Sequence, residues 1–342
     1  MKQSINWGII GLGNIALQFA EAFKDSKNSK LKGIASNNPD KIRIFEKKFN
    51  IHKNYCFNSY EELLDCEDID IVYIALPNSM HKEWIIKSID KKKNILVEKP
   101  AFMNLSETEN IKNKIDNGKI FFTEGFMYRF TPQILKVVEL LKTDIIGEPI
   151  SMISNFGTNL LTKKNIFGFN KKKKINKKNR LFNKELGGGA ILDLGCYPVS
   201  FSILIASMIS KIDYDKIKVL DKIIEIGSTD VDVNSHAKLE FENGFISEVN
   251  ASFTKNLGTE TIINGKDGIM RIMNPWQAVP PIIYLEGKVN KKIENRCTNN
   301  IFSYEINAIS KNILEKKFSP DFPGLSIKEI IGGMKILDKW LN

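Results

Sequence analysis

Cysteine and histidine are scarce in this chain of 342 residues, which has four cysteines and three histidines. No two cysteines form a Cys-x-x-Cys pair, and no Cys/His cluster has the spacing of metal ligands. We therefore expect no metal centre, and we expect reduced thiols of the kind found in the cytoplasm. The cysteines are Cys56, Cys66, Cys196 and Cys297, and the histidines are His52, His81 and His236.

Long hydrophobic runs are also missing from the sequence. The longest apolar stretches, such as residues 199–209, are interrupted by serine. They fall short of the roughly 20 residues that a membrane-spanning helix needs. The first residues lack the apolar segment and small-residue cleavage site of a secretory signal. We expect neither a membrane partner nor secretion.

The formal net charge of +10 raises the question of an anionic partner. One dense basic block runs from Lys171 to Lys174 and continues with Lys177, Lys178 and Arg180. It contains no aromatic residues on which bases would stack, so we do not expect nucleic acid as a partner. The block is typical of a solvated loop, and an anion site is the alternative.

Strand and helix patterns alternate through the first third of the chain, which favours a doubly wound parallel sheet. The expected strands are residues 5–10, 31–35, 69–76 and 94–97. The expected helices are residues 16–24, 40–49, 83–89 and 106–117, with Ser106 as the N-cap of the last. Residues 71–76 are almost continuously apolar, as in a strand covered on both faces.

The pattern changes beyond residue 123. A long helix is expected at residues 190–209, and apolar residues then alternate with polar ones on both sides of Asn243-Gly244, a strong hairpin signal. A second hairpin is expected around residues 265–268, and helices at 302–314 and 326–340. The fold class is thus α/β, with an N-terminal Rossmann domain (1–123) and a C-terminal α+β domain (124–342) with a large, mostly antiparallel sheet. The last helix is a candidate to pack back on the first domain.

A glycine-rich turn follows the first strand and opens the first helix. Gly11-Leu12-Gly13-Asn14-Ile15-Ala16 matches the G-x-G-x-x-G/A dinucleotide fingerprint. Gly11 permits the tight turn, Gly13 lets backbone N–H groups approach a pyrophosphate, and the small Ala16 allows close packing of helix and strand. The sequence predicts that residues 11–15 bind NAD or NADP.

The second strand ends at Ser36-Asn37 without the acidic residue that would bind the ribose of NAD. Lys41 and Arg43 follow and are able to meet a 2′-phosphate, which favours NADP. In the alternative interpretation these two residues are exposed helix positions, and Asp40 binds the ribose of NAD.

Two further motifs carry candidate chemistry. Glu98-Lys99-Pro100 follows a strand, at the sheet edge where ligands bind in open α/β folds. Asp193 and Tyr197 lie four residues apart after three glycines at 187–189, on one helical face, and form a candidate acid/base pair. The plainer alternatives are a surface turn at Lys99, a core position for Tyr197, and a capping or salt-bridged Asp193.

Together these motifs resemble the glucose–fructose oxidoreductase/inositol dehydrogenase (Gfo/Idh/MocA) family over nearly the whole chain. Residues 124–132 and 180–189 are similar to the branch of dimeric dihydrodiol dehydrogenases and NADP-dependent xylose dehydrogenases. Residues 75–81 resemble the family's loop under the nicotinamide half of the cofactor.

The resemblance implies roles for individual residues. Lys99 would bind the reacting hydroxyl or carbonyl and perturb Tyr197, Tyr197 would be the general acid/base, and Asp193 would help orient the substrate. Arg129 would lie near the boundary of nicotinamide and substrate. The remaining residues that would contact the cofactor or position its neighbours are Leu76, Pro77, Asn78, His81 and Glu98.

The resemblance implies a cytoplasmic NAD(P)-dependent oxidoreductase that transfers hydride between nicotinamide and a sugar, polyol or related hydroxyl or carbonyl compound. The alternatives are an enzyme for nucleotide-linked or phosphorylated sugars, with the lysine block binding phosphate, and a non-catalytic cofactor-binding protein. Members of the family pair through the open face of the C-terminal sheet, which implies a homo-oligomer, a dimer or tetramer. Phe245, Val249 and Phe253 are candidates for such an interface, and core packing is the alternative explanation for them.

Overall fold

The computed structural model describes residues 3–164, 170–172, 175–297 and 299–342. The chain forms two compact units. Unit 1 contains the residues up to Thr131 together with Cys297–Ile331, and unit 2 contains Pro132–Arg296 together with Gly332–Asn342. The domain boundary expected after residue 123 falls inside a strand of unit 1, because the chain adds one more strand to the parallel sheet before it leaves that unit.

Unit 1 is built on a six-stranded parallel sheet in the order β3-β2-β1-β4-β5-β6. This is the strand order of a dinucleotide-binding Rossmann fold, as expected from the alternating pattern. The strands are β1 (Ile5–Ile10), β2 (Ser29–Ala35), β3 (Cys56–Phe57), β4 (Ile71–Ile74), β5 (Asn94–Glu98) and β6 (Phe122–Gly125).

The helices of unit 1 begin and end where local side chains permit. Asn38 accepts hydrogen bonds from two backbone N–H groups at the start of α2, and Pro39 supplies a first helical residue that needs no N–H partner. The expected cap at Ser106 is wrong: that residue lies inside a short 3₁₀ turn capped by Asn104, and a separate helix starts at Ile111. The helices are α1 (Asn14–Glu21), α2 (Pro39–Phe49), α3 (Tyr60–Asp65), α4 (Asn78–Asp90), α5 (Ile111–Gly118) and α8 (Ile301–Leu314).

An aromatic core lies on one face of the parallel sheet. Phe19 stacks on Tyr73 of the fully buried strand β4, with ring centroids 3.9 Å apart, and packs against Trp7. Phe302 of α8 completes the cluster against Phe19. The C-terminal helix that packs on this sheet is α8. The expectation concerned the last helix, α9 (Ile327–Leu341), whose residues are divided between the two units.

Unit 2 is built on an eight-stranded sheet in the order β10-β11-β12-β7-β13-β14-β15-β16, antiparallel except where β12 pairs with β7. Both predicted hairpins are confirmed, since β11 pairs with β12 and β13 with β14. A two-stranded sheet is formed by β8 (Thr162–Lys164) and β9 (Asn170–Lys172). The strands of the large sheet are β7 (Pro149–Gly157), β10 (Lys218–Ile226), β11 (Asp232–Glu240), β12 (Ile246–Ser252), β13 (Thr261–Gly265), β14 (Gly268–Ile272), β15 (Ile282–Gly287) and β16 (Lys291–Glu294).

The long helix predicted at 190–209 forms in two parts. A π-helical turn spans Ile191–Gly195 and leads into α7 (Cys196–Ile209), while α6 (Pro132–Lys142) begins the unit. Among the described residues, the helical stretch Lys184–Ile209 is long and apolar enough to cross a bilayer by composition, but 94% of its most apolar window is buried within the protein. It serves as a core helix of unit 2.

The proposed interface role of Phe245, Val249 and Phe253 is wrong. All three side chains are buried inside unit 2: Val249 lies on the buried face of β12, and Phe245 and Phe253 flank that strand. Exposed apolar side chains of the same sheet lie instead at Ile153 on β7 and at Ile223 on β10.

The basic block lies only partly within the described residues. Lys173 and Lys174 fall outside them, whereas Lys177 and Lys178 are exposed. Exposure of these two lysines agrees with the interpretation of the block as a solvated segment.

We predict that Ser310→Ala destabilises unit 1. Ser310 Oγ on α8 accepts a hydrogen bond from Trp7 Nε1 at 2.9 Å and one from Ser29 Oγ at 2.6 Å, both buried. Removing the hydroxyl leaves the Trp7 indole N–H without its acceptor, which costs about 1–3 kcal/mol, while Ser29 Oγ keeps Asn28 Oδ1 as an acceptor at 3.1 Å. Chemical denaturation followed by tryptophan fluorescence measures the loss. Ser207→Ala, which removes a hydroxyl that donates within its own helix to Leu204 O, is the control, and an equal loss there would contradict the prediction.

Candidate active site

The turn between β1 and α1 has the geometry of a phosphate-binding loop. Gly11 has φ +89°, and a Cβ there would lie 2.6 Å from Ala75 O, so only glycine is accommodated. A Cβ at Gly13 would point into open space, which leaves its backbone accessible. α1 has neither an acidic residue nor a side-chain cap in its first turn, so its N–H groups are available to an anion. The turn at residues 11–15 thus fits the pyrophosphate of a dinucleotide.

The end of β2 presents small polar residues next to exposed charges. Ser36 is buried and its Oγ accepts the Asn38 N–H, while Asn37 is exposed. Arg43 and Asp40 form an exposed ion pair with each other, so the two candidates for ribose or 2′-phosphate recognition are adjacent. Asn38 had no predicted role, although Asn-Pro-Asp is a recognisable helix start.

His81 joins the loop after β4 to the loop after β5. The side chain is fully buried, with Nδ1 2.9 Å from Pro100 O and Nε2 2.9 Å from Leu76 O. Carbonyl oxygens only accept, and a neutral imidazole carries one N–H, so both contacts are hydrogen bonds only in the imidazolium form. These contacts favour the positioning role for His81. Asn78, at the start of α4, is also buried, while Leu76 and Pro77 are partly exposed.

Glu98 is held by a neighbouring strand, and Lys99 follows it directly. The Tyr73 hydroxyl donates to Glu98 Oε1, and β5 ends at this residue. Lys99 is partly exposed at the carboxyl edge of the sheet, where the sequence analysis places it. Beyond it, the Ala101 N–H donates to Glu124 Oε1 at 2.8 Å, which secures the loop to β6.

Two buried carboxyl groups of unit 1 had no role in the sequence analysis. Burial raises the pKa of Glu124 to about 7, with the nearby Glu98 acting in the same direction and Arg129 in the opposite one. Burial also raises the pKa of Glu305, on α8, well above its usual range, and Glu98 adds to that effect. A signal for Glu305 was available, since it lies among the apolar positions of α8. The signal for Glu124 was its position within a predominantly apolar segment.

Arg129 is fully buried. Its Nη1 donates to Pro323 O at 2.9 Å and lies 3.7 Å from the Glu329 carboxylate. These contacts fix residues 323–329 to the end of the parallel sheet. Its predicted role near the nicotinamide stays a prediction.

In unit 2, close packing of the backbone precedes the candidate acid/base pair. A Cβ at Gly188 would lie 2.6–2.8 Å from three backbone carbonyl oxygens, so the glycine run allows the chain to fold tightly on residues 180–183. Asp193 lies in the π-helical turn, and Tyr197 lies in the first turn of α7. Widened turns of this kind occur frequently at functional sites.

The side chains of the pair have different surroundings. Asp193 is nearly buried and accepts a hydrogen bond from Arg180 Nη1 at 3.0 Å, which bears out the salt-bridged alternative for it. Tyr197 is buried against Phe156 and Trp276, with ring centroids 5.1 and 5.6 Å away. The sequence analysis assigned no role to these two aromatic residues, because they come from a distant strand and loop.

Among the described residues, no group of three or more His, Cys, Asp or Glu side chains has the arrangement of a metal site.

The comparisons with known proteins identify the family. Residues 5–126 match the oxidoreductase family with an NAD-binding Rossmann fold, and residues 134–271 match the GFO/IDH/MocA C-terminal domain. The chain belongs to the Gfo/Idh/MocA family. It is therefore an oxidoreductase with an NAD(P)-binding domain.

Relatives of this Gfo/Idh/MocA protein include the predicted branch. This chain is 26% identical to trans-1,2-dihydrobenzene-1,2-diol dehydrogenase of Xenopus tropicalis, over 98% of this chain and 97% of that protein. It is 26% identical to D-xylose 1-dehydrogenase (NADP⁺) 2 of Haloferax volcanii, over 72% and 69% of the two chains. Among solved structures, aldose–aldose oxidoreductase of Caulobacter crescentus has the same fold, with a TM-score of 0.84, 18% identity, and coverage of 99% and 96%.

We predict that Glu124→Gln flattens the pH dependence of the stability of this Gfo/Idh/MocA protein. The pKa of Glu124 is about 7 in the folded chain against an ordinary value of 4.5. Between pH 4.5 and pH 7 the folded state binds more protons than the unfolded state. The contribution of Glu124 to the free energy of unfolding therefore falls as the pH rises through this range. Relative to wild type, the variant gains up to about 3 kcal/mol across that window.

Urea denaturation at pH 4.5, 6 and 8 measures this difference. Glu109→Gln, at an exposed position, is the control and should run parallel to wild type. A difference between Glu124→Gln and wild type that does not change with pH would contradict the prediction.

Proposed function

We propose that the protein transfers hydride between NAD(P) and a secondary alcohol, hemiacetal or carbonyl carbon of a sugar, polyol or dihydrodiol. Bound NAD(P) supplies or accepts the hydride at C4 of its nicotinamide ring. The proposal rests on the surroundings of Tyr197, a buried phenol on the segment that also bears Asp193. In the other unit, Lys99 lies at the carboxyl edge of the Rossmann sheet.

Tyr197 is proposed as the general acid/base. A free tyrosine has a pKa of about 10, which is too high for an effective base at neutral pH. The Lys99 ammonium would stabilise the phenolate and lower that pKa, since an opposite charge favours the ionised form. Lys99 would also bind the reacting oxygen, and Asp193, oriented by Arg180, would accept a hydrogen bond from a substrate hydroxyl.

A structural neighbour has been solved with substitutions of the same two residue types. Solved structures of a 3-ketoreductase from Actinomadura kijaniata, with NADP and TDP-benzene, include variants in which a lysine is replaced by alanine or a tyrosine by phenylalanine. The unsubstituted enzyme shares the fold of this chain, with a TM-score of 0.80 at 21% identity and coverage of 98% and 96%.

We predict that Tyr197→Phe lowers kcat by roughly 100-fold or more, the scale of losing a general acid/base. Lys99→Ala should lower activity further, because it removes both the proposed substrate contact and the ammonium proposed to stabilise the phenolate. Absorbance of the reduced cofactor at steady state measures both, on a panel of aldoses, polyols and a dihydrodiol.

Tyr304→Phe and Lys47→Ala are the matched controls and should retain wild-type turnover. Normal turnover by Tyr197→Phe would remove the acid/base assignment. Cofactor binding with no turnover on any substrate would favour the alternative of a non-catalytic cofactor-binding protein.

NADP is proposed as the preferred cofactor. β2 ends without a ribose-binding acid and is followed by Lys41 and Arg43 on α2. The Haloferax volcanii relative is an NADP⁺ enzyme. Asp40, paired with Arg43, is the group that would serve NAD instead.

We predict that Arg43→Ala weakens NADPH binding by about 10-fold or more, since a charge-assisted hydrogen bond to phosphate contributes about 1.5–3 kcal/mol. NADH binding should change little, because NADH has no 2′-phosphate. Isothermal titration calorimetry measures both affinities. Lys47→Ala, farther along α2, is the control. An equal loss for both cofactors would contradict recognition of the 2′-phosphate by Arg43.

A second candidate substrate class is a nucleotide-linked or phosphorylated sugar. The chain is 29% identical to dTDP-3,4-didehydro-2,6-dideoxy-alpha-D-glucose 3-reductase of Saccharopolyspora spinosa, over 57% of this chain and 55% of that protein. The exposed Lys177 and Lys178 would then meet phosphate. Turnover on a dTDP-linked ketosugar and none on neutral sugars would favour this class.

The reaction class, cellular location and assembly are proposed as follows. The enzyme acts on a CH–OH group, or on a CH–CH group if a dihydrodiol is the substrate. The cytoplasm is proposed because the cysteines are free thiols. A homo-oligomer would cover exposed apolar side chains of the large sheet such as Ile153 and Ile223.

A further inference from the structure

Asp232, the first residue of β11, reaches the start of the helical segment that carries Asp193 and Tyr197. The side chain is buried, and its Oδ2 accepts the Ile191 N–H at 2.7 Å. Ser235 Oγ donates to the same oxygen at 3.3 Å, and the Ala190 N–H also donates to the carboxylate. The carboxylate thus satisfies N–H groups that the first turn of a helix leaves without an intrahelical partner.

Gly189 is shaped to admit this carboxylate. A Cβ at that position would overlap Asp232 Oδ1, and the residue has φ +122°, which side chains rarely adopt. The glycine therefore meets two requirements at once, the backbone conformation and the space for the oxygen.

The charge on Asp232 suits its position. Burial raises the pKa of the carboxyl to about 6, opposed by the donors at Ile191, Ser235 and Ala190, so the group is ionised at pH 7.5 and only accepts. A negative charge at the start of a helical segment interacts favourably with the aligned peptide dipoles.

Movement at this contact reaches the candidate acid/base pair through the backbone. The Asp193 N–H donates to Gly189 O at 3.1 Å, and Tyr197 follows one turn later. On the other side, Asp232 belongs to a strand paired with both β10 and β12. The carboxylate therefore ties the segment with Asp193 and Tyr197 to the interior of the large sheet.

We propose that Asp232 is a positioning residue for hydride transfer, which holds the segment bearing Asp193 and Tyr197 in register with the substrate. The inference rests on the proposed acid/base role of Tyr197. It assigns Asp232 no contact with the substrate or cofactor.

The test compares Asp232→Asn and Asp232→Ala with Val233→Ala, a cavity-forming change at the next buried residue of β11. We expect Asp232→Ala to lower kcat by about 30- to 100-fold, the scale of a misplacement of about 1 Å, and Val233→Ala to stay within about 2-fold of wild type. Asp232→Asn keeps one acceptor but turns an amide towards an N–H donor, so it should retain an intermediate kcat, reduced by about 10-fold.

KM for the substrate and the NADPH dissociation constant should each change by less than about 3-fold in all three variants, because positioning affects the reacting geometry more than binding. A purely structural role would lower the thermal midpoint in Asp232→Ala and Val233→Ala alike and leave kcat equal between them; that result overturns the inference. If Asp232→Ala does not fold, Asp232→Asn decides the matter, and wild-type kcat in that variant also overturns it.

Tyr197→Phe, assayed in parallel, separates this inference from the proposed function. An active Tyr197→Phe means that the acid/base assignment itself has failed. An inactive Tyr197→Phe beside fully active Asp232 variants means that only the positioning role has failed.

Discussion

Parallel strand pairing is the constraint on which the candidate site of unit 1 depends. It brings the carboxyl ends of β1, β2, β4, β5 and β6 to one edge, so the loops that follow them are neighbours although they lie far apart in the chain. The edge is then fixed by buried polar contacts between consecutive loops. His81 joins Leu76 to Pro100, and Glu124 holds the N–H of Ala101. Lys99 directly precedes these two attachments, and Glu98 on its other side accepts a hydrogen bond from the Tyr73 hydroxyl, so the chain is held before and after Lys99.

In unit 2, a carboxylate and a glycine position the segment that carries the candidate acid/base pair. The segment with Asp193 and Tyr197 begins where Gly189 leaves room for Asp232, and Tyr197 then packs against Phe156 and Trp276. Arg180 adds a charge beside Asp193 from the opposite side of the glycine run. In both units, ionisable groups removed from water hold the backbone near the residues proposed for chemistry, and each is satisfied at least in part by hydrogen bonds.

The sequence was sufficient for the elements with strong local signals. The glycine fingerprint after β1, the apolar strand β4 and the Asn243-Gly244 hairpin are all confirmed, because each is specified by residues adjacent in the chain. Ser106 failed as a cap because Asn104, two residues earlier, was an equally good candidate that local reasoning did not weigh. Phe245, Val249 and Phe253 show a strand's apolar face, but not whether a helix of the same unit or a second molecule covers it. Asp232 was missed because its partner Ile191 lies 41 positions away, which leaves no periodic signal. Glu305 did leave one, since it lies among the apolar positions of α8.

The interleaving of the two units has a consequence for synthesis on the ribosome. Phe302, Ile306 and Ile309 close the aromatic core of unit 1, yet they are translated after nearly all of unit 2. The core of unit 2 is likewise incomplete until Trp340 has been translated. Trp340 is fully buried, packs on Gly195 and donates through Nε1 to His236 O. A nascent chain therefore emerges with both cores open, and neither unit completes its packing before its part of residues 302–340 has left the exit tunnel. Folding of the two units is thereby coupled in time, and a translation arrest after residue 300 would release two unfinished cores.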